Sequence, residues 1–233
     1  MVLTGALSMR ILHVSDIHGN QRWLDWLIAG APTHDLLVVA GDMQDHWNEE
    51  QVPALKDWIK RVPGQTAVCS GNHDSDELRK LLRGRPNIFP DRFNGMLQGI
   101  WVTVAPFHWE VDTVINVGIA QMLRAAQAAK PWNVPWVLVH HVPPPGPLAD
   151  VGIQKSDTGM TKWLERFPID FAFCGHGHHE PARSARCCEK VGSCWVFNPG
   201  QSQDAPIPNY VLLDTIERSG VWHVDGTEQV FQV

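Results

Sequence analysis

Five short, almost wholly apolar runs punctuate the chain: ILHVS (11–15), DLLVVA (35–40), TAVCS (66–70), WVLVH (136–140) and FAFC (171–174). Runs of this length, apolar on both alternating faces, are what strands buried in a parallel sheet look like. Amphipathic stretches lie between them at Gln21–Ala29, Gln51–Arg61, Asp76–Arg83, Ile115–Lys130 and Thr158–Phe167. The alternation predicts an α/β fold with right-handed crossovers, the five strands sharing one sheet. Four further segments, GIWVTVAPF (99–107), SCWVFNPG (193–200), NYVLLDT (209–215) and GVWHVD (220–225), lack helical partners. They predict a second, mostly antiparallel sheet packed on the first. No change of composition or flexible linker divides the chain, so residues 9–233 read as a single domain. Residues 1–8 read as a disordered or dispensable lead-in.

Composition removes several classes of function. With 233 residues, 44% of them hydrophobic and 19% charged, the chain can bury a large core, and it has no run of ~18 apolar residues to span a membrane. A net charge of -6 argues against general attraction to nucleic acid or anionic lipid. Five irregularly placed cysteines, with no C-x-x-C pair, fit a reduced, cytoplasmic protein.

The residues that follow each run carry the chemistry. They are Asp16-Ile17-His18, Gly41-Asp42, Gly71-Asn72-His73-Asp74, His140-His141 and Gly175-His176-Gly177-His178. Ligands bind beyond the carboxyl ends of strands in an α/β sheet, so all five groups are expected on one rim. Two carboxylates, one amide and four imidazoles are borderline donors suited to Mn, Fe, Zn or Ni, and they exceed what one ion needs. Two ions sharing a carboxylate is the economical arrangement. The glycines before Asp42, Asn72 and His176 would let backbone approach closely there.

In this order, D-x-H, G-D, G-N-H-D, a strand ending in His, and G-H-x-H resemble the signature of the calcineurin-like metallophosphoesterases, across residues 10 to about 200. The resemblance implies a four-layer α/β/β/α sandwich. It also implies two divalent metal ions, Mn first, with Fe, Zn or Ni as alternatives. By position it gives Asp16, His18 and His178 to one ion, Asn72, His140 and His176 to the other, and Asp42 to both. His73 would stabilise the phosphoryl or leaving group, with Asp74 or Asp45 orienting its ring. The implied reaction is in-line attack of a metal-bridging hydroxide on a small phosphoester, a phosphodiester in preference to a monoester.

Side chains alternate along a strand, so only one of His140 and His141 can face the ions. The family pattern favours His140, leaving His141, with His108, to line the substrate cleft. Arg79, Lys80, Arg83 and Arg85 form a basic run on the helix after G-N-H-D, and Asn198-Pro199-Gly200 reads as a structural turn beneath the site. The alternatives are a nuclease or phosphomonoesterase, a metal-dependent hydrolase of another bond, and a non-catalytic scaffold on the same fold. Walker, G-x-S-x-G and H-E-x-x-H motifs are absent.

Overall fold

The computed structural model describes residues 9–108, 113–150 and 155–233; the expected lead-in, residues 1–8, lies outside them. In chain order the elements are β1 (Arg10–Val14), α1 (Gln21–Ala29), β2 (Leu36–Ala40), α2 (Val52–Arg61), β3 (Gln65–Cys69), α3 (Asp76–Leu82), β4 (Ile88–Phe89), β5 (Asn94–Leu97), β6 (Ile100–Val104), α4 (Thr113–Ala129), β7 (Trp136–Val139), α5 (Thr158–Arg166), β8 (Phe171–Phe173), α6 (Glu180–Ser184), β9 (Cys188–Val191), β10 (Cys194–Phe197), β11 (Tyr210–Asp214), β12 (Ser219–Val224) and β13 (Thr227–Gln232). The five expected helices are present to within a residue or two of their predicted ends.

The five apolar runs divide between two sheets, which corrects the single-sheet expectation. The first sheet runs β13-β12-β11-β1-β2-β3-β4 and the second β5-β6-β7-β8-β10-β9. In the first, β1 to β4 are parallel and β11 to β13 extend the sheet antiparallel. In the second, β6, β7, β8 and β10 are parallel, and β5 and β9 are antiparallel edges. A strand apolar on both faces fits either sheet equally well, so periodicity held no information on which one it would join.

Three apolar layers hold the stack together. Ile11, Val38, Ala67, Val102, Val137, Phe171 and Phe197 fill the space between the sheets. Trp23, Leu24 and Leu27 of α1, with Leu55, Trp58 and Ile59 of α2, cover the outer face of the first sheet. Ile119 and Leu123 of α4, with Met160, Trp163 and Leu164 of α5, cover the second. Each of these fully buried large side chains contributes roughly 1.5–3 kcal/mol of transfer free energy. The result is the α/β/β/α sandwich, with the parallel strands of both sheets ending along one rim. No helix among the described residues is long and apolar enough to cross a membrane.

Candidate metal centre

Loops from both sheets meet at that rim. Asp16 and His18 follow β1, Asp42 follows β2, and Asn72 and His73 follow β3; His141 follows β7, and His176 and His178 follow β8. Asp16, His18, Asp42 and His176 all have positive φ, between 48° and 63°. Such conformations are costly for residues with a Cβ and persist where the surroundings impose them. Here they turn the side chains out of the strand ends and toward one another.

Two groups of donors result. In the first, His178 Nε2 lies 3.1 Å from Asp16 Oδ1 and 3.4 Å from His18 Nε2. In the second, His141 Nε2 lies 3.3 Å from Asp42 Oδ2, 3.2 Å from His176 Nδ1 and 3.1 Å from Asn72 Oδ1. Asp42 also forms a group with His18 and His73, so it stands between the two sets. Ligand atoms held ~2.1 Å from one ion are about 3 Å apart, the spacing these donor atoms show. The residues present therefore fit two divalent ions with Asp42 shared.

The electrostatics suit ligands that stay ionised. Burial works to raise the carboxyls of Asp16 and Asp42, but His178 beside the first and His141 beside the second outweigh it and hold both below the usual range. Burial likewise lowers His141, yet the two carboxylates prevail and raise it to about 9.

The adjacent histidines face opposite ways, and it is His141, not the expected His140, that the structure brings to Asp42, Asn72 and His176. Val137 and Val139 face the space between the sheets, while Trp136 and Leu138 face α4 and α5. His141 continues the inner set and meets the candidate donors Asp42 and His176. His140 continues the outer set and turns away, 3.3 Å from Asp157. His108 is buried beside it, its side chain fully enclosed, so neither His108 nor His141 lines an open cleft as expected.

His73 stands at the edge of the cluster, Nε2 3.9 Å from Asp42 Oδ2. The His46 backbone N–H donates to its Nδ1 at 3.0 Å, and Asp45 Oδ1 is 3.6 Å from the same nitrogen. Asp74 does not reach His73. Its two oxygens accept from the backbone N–H groups of Gln44 and Gly71, and burial, aided by the charge on Asp42, pushes its carboxyl up to about 6. Asp74 thus shapes the loop that presents Asn72. His46, which the motifs did not single out, is the residue sequence reasoning missed, since its contribution comes through backbone. Asn198 donates to the carbonyls of Gly175 and Gly177, both at 3.0 Å, and braces the turn that presents His176.

One cavity reaches the donors and a second lies nearby. The first, of about 710 Å³, is lined by His178, His179, Arg183 and Gln201. The other, of about 360 Å³, is bounded by Arg79, Lys80, Arg83 and Arg92 together with Asp76 and Asp91, and by Phe107, whose ring is 5.9 Å from that of His141.

A sandwich of two mixed sheets with a binuclear set of Asp, Asn and His donors at its rim defines a class of metallohydrolase. Residues 9–180 match the calcineurin-like phosphoesterase family, and the chain belongs to it. A search of curated proteins gave no match. Among solved structures, TT1561 of Thermus thermophilus superposes with a TM-score of 0.67 at 12% identity, over 97% of this chain and 99% of that one. A dimetal phosphatase from Danio rerio gives 0.62 at 10% identity, over 96% and 98%. At such identities the likeness is one of fold. Together, family and donor geometry support a metal-dependent hydrolase of the calcineurin-like phosphoesterase type.

Proposed function

We propose that the protein is a two-metal phosphodiesterase acting on a small organic phosphodiester. The reading rests on the position of Asp42 between two donor groups, with Nε2 of His73 beside it. Asp16, His18 and His178 would hold one ion and Asn72, His141 and His176 the other. When bound, two divalent ions of the Mn, Fe or Zn kind would offset charge on phosphoryl oxygens and lower the pKa of water.

His73 then acts as a hydrogen-bond donor. With Nδ1 accepting from His46, the neutral ring carries its proton on Nε2, the nitrogen nearer Asp42. Burial, only partly offset by Asp42, lowers its pKa and favours that neutral form. A neutral ring stabilises phosphoryl oxygens well and protonates a leaving alkoxide poorly. A cavity at His178 and a second near His141 favour a diester, because a phosphodiester extends from phosphorus in two directions, and in the second the four cations outnumber Asp76 and Asp91, which suits an ester arm that carries further negative charge.

The test is turnover of manganese-loaded protein on bis-nitrophenyl phosphate, nitrophenyl phosphate and cyclic nucleotides. Higher kcat/KM for diesters is expected. A preference for the monoester would overturn the diester reading, and no turnover of any ester with both ions bound would overturn the hydrolase.

A further inference from the structure

Behind the rim, on the helix side of the second sheet, lies another cluster that the binuclear centre does not use. His140 reaches it from the end of β7, His108 from the segment after β6, and Asp157 from the N-cap of α5. Both imidazoles are fully enclosed and the Asp157 side chain is 3% exposed. Asp157 Oδ1 accepts from Gly159 N–H at 2.7 Å, which caps the helix. Its other oxygen, Oδ2, meets His140 Nε2 at 3.3 Å, longer than a well-formed hydrogen bond between such groups, and neither has a better-placed partner.

Buried polar groups so loosely paired are expensive. The spacing indicates what could satisfy them. His140 Nε2 and His108 Nε2 stand 3.3 and 3.7 Å from Asp157 Oδ2, and the three donor atoms lie within 4.8 Å of one another. A charge-assisted hydrogen bond would close such a pair to about 2.7–2.9 Å. The edge of a tetrahedron drawn with ~2.0–2.1 Å bonds is about 3.3–3.4 Å. Contacts of 3.1 to 3.4 Å recur among the donors of the binuclear centre.

We propose that His108, His140 and Asp157 form a third, structural cation site, separate from the binuclear centre. Two imidazoles and one carboxylate select a borderline transition ion such as zinc over magnesium or calcium. The Trp163 ring, 5.7 Å from both imidazoles, gives the site an apolar wall. An ion held there ties the segments after β6 and β7 to the start of α5. It therefore fixes the strand end from which His141 enters the binuclear centre.

The experiment is metal counting on the full chain, saturated with zinc and then desalted. Wild type should retain three equivalents per chain. His140→Ala and His108→Gln should each retain two, whereas Asp42→Asn should lose the binuclear ions and keep the third. Saturation of wild type at two equivalents would overturn the proposal, as would three equivalents in both histidine variants. Should those variants fail to fold, anomalous scattering at the zinc edge from wild-type crystals decides. A peak among His108, His140 and Asp157 is expected, and its absence beside a filled binuclear centre refutes the site.

Discussion

Gly71 is where one methyl group should disable the centre. A Cβ built on it would lie 2.0 Å from Asp42 Oδ1 and 2.5 Å from the Asp42 backbone nitrogen. Carbon and oxygen without a bond between them need about 3 Å, so Gly71→Ala must displace the carboxylate or the loop by about 1 Å. Metal–ligand distances tolerate about 0.2 Å, and a misplacement of about 1 Å in a catalytic array costs on the order of 10²-fold. The same shift breaks the 2.8 Å hydrogen bond from His73 N–H to Asp42 Oδ1, so the loop that carries His73 would move too. We expect kcat/KM to fall by about 10²-fold, equivalent to about 2.7 kcal/mol of transition-state stabilisation. Metal retention during dialysis against graded chelator should fall with it. Gly118→Ala is the control, since nothing lies within 4 Å of its added Cβ and alanine favours a helix interior. Circular dichroism would establish that both variants are folded. Wild-type turnover and metal retention in Gly71→Ala would refute the argument.

Three further outcomes follow from the geometry. His141→Ala should lower metal retention, and excess Mn²⁺ should partly restore turnover, with metal analysis at two Mn²⁺ concentrations as the check. His73→Asn should keep both ions and lower kcat by about 10²–10³, equally for nitrophenyl and alkyl leaving groups, because a neutral donor to phosphoryl oxygens is indifferent to the leaving group. A loss confined to poor leaving groups would make His73 a proton donor instead. His13, enclosed against Phe173, has its pKa lowered by burial to about 3. Its neutral form therefore favours the fold fully above pH 6.5, and that contribution is lost as pH falls toward 3. The stability difference between wild type and His13→Leu should shift by about 2 kcal/mol against wild type from pH 7 to pH 5, measured by urea unfolding. An unchanged difference would mean that His13 is not held neutral.

Much of this molecule is legible in its sequence, and what is not has identifiable causes. The inner strands announce themselves because both faces are buried. β9 (CEKV) and β13 (TEQVFQ) are polar edges, and β4 has two residues, so none leaves a pattern. The glycines before Asp42, Asn72 and His176 were readable as points of close approach: a Cβ on Gly41, Gly71 or Gly175 would meet His141, Asp42 or Asp16 at 2.0–2.6 Å. Which member of His140-His141 faces inward was not readable, because WVLV is apolar at every position and carries no parity. The left-handed turns at Asp16, His18, Asp42 and His176 leave no mark on composition either.

Asp16, His18, Asp42 and Asn72 come from the first sheet, and His141, His176 and His178 from the second. Neither sheet carries a whole donor set, so tight binding must wait until the two have docked. Bound ions would then act as a clasp across the seam. Metal uptake thereby becomes a clock for assembly: in refolding, tight binding should appear only after the layer around Ile11, Val137 and Phe171 has formed. Any partner or substitution that pries the sheets apart would be felt first as leakage of metal, before the helices show any loss.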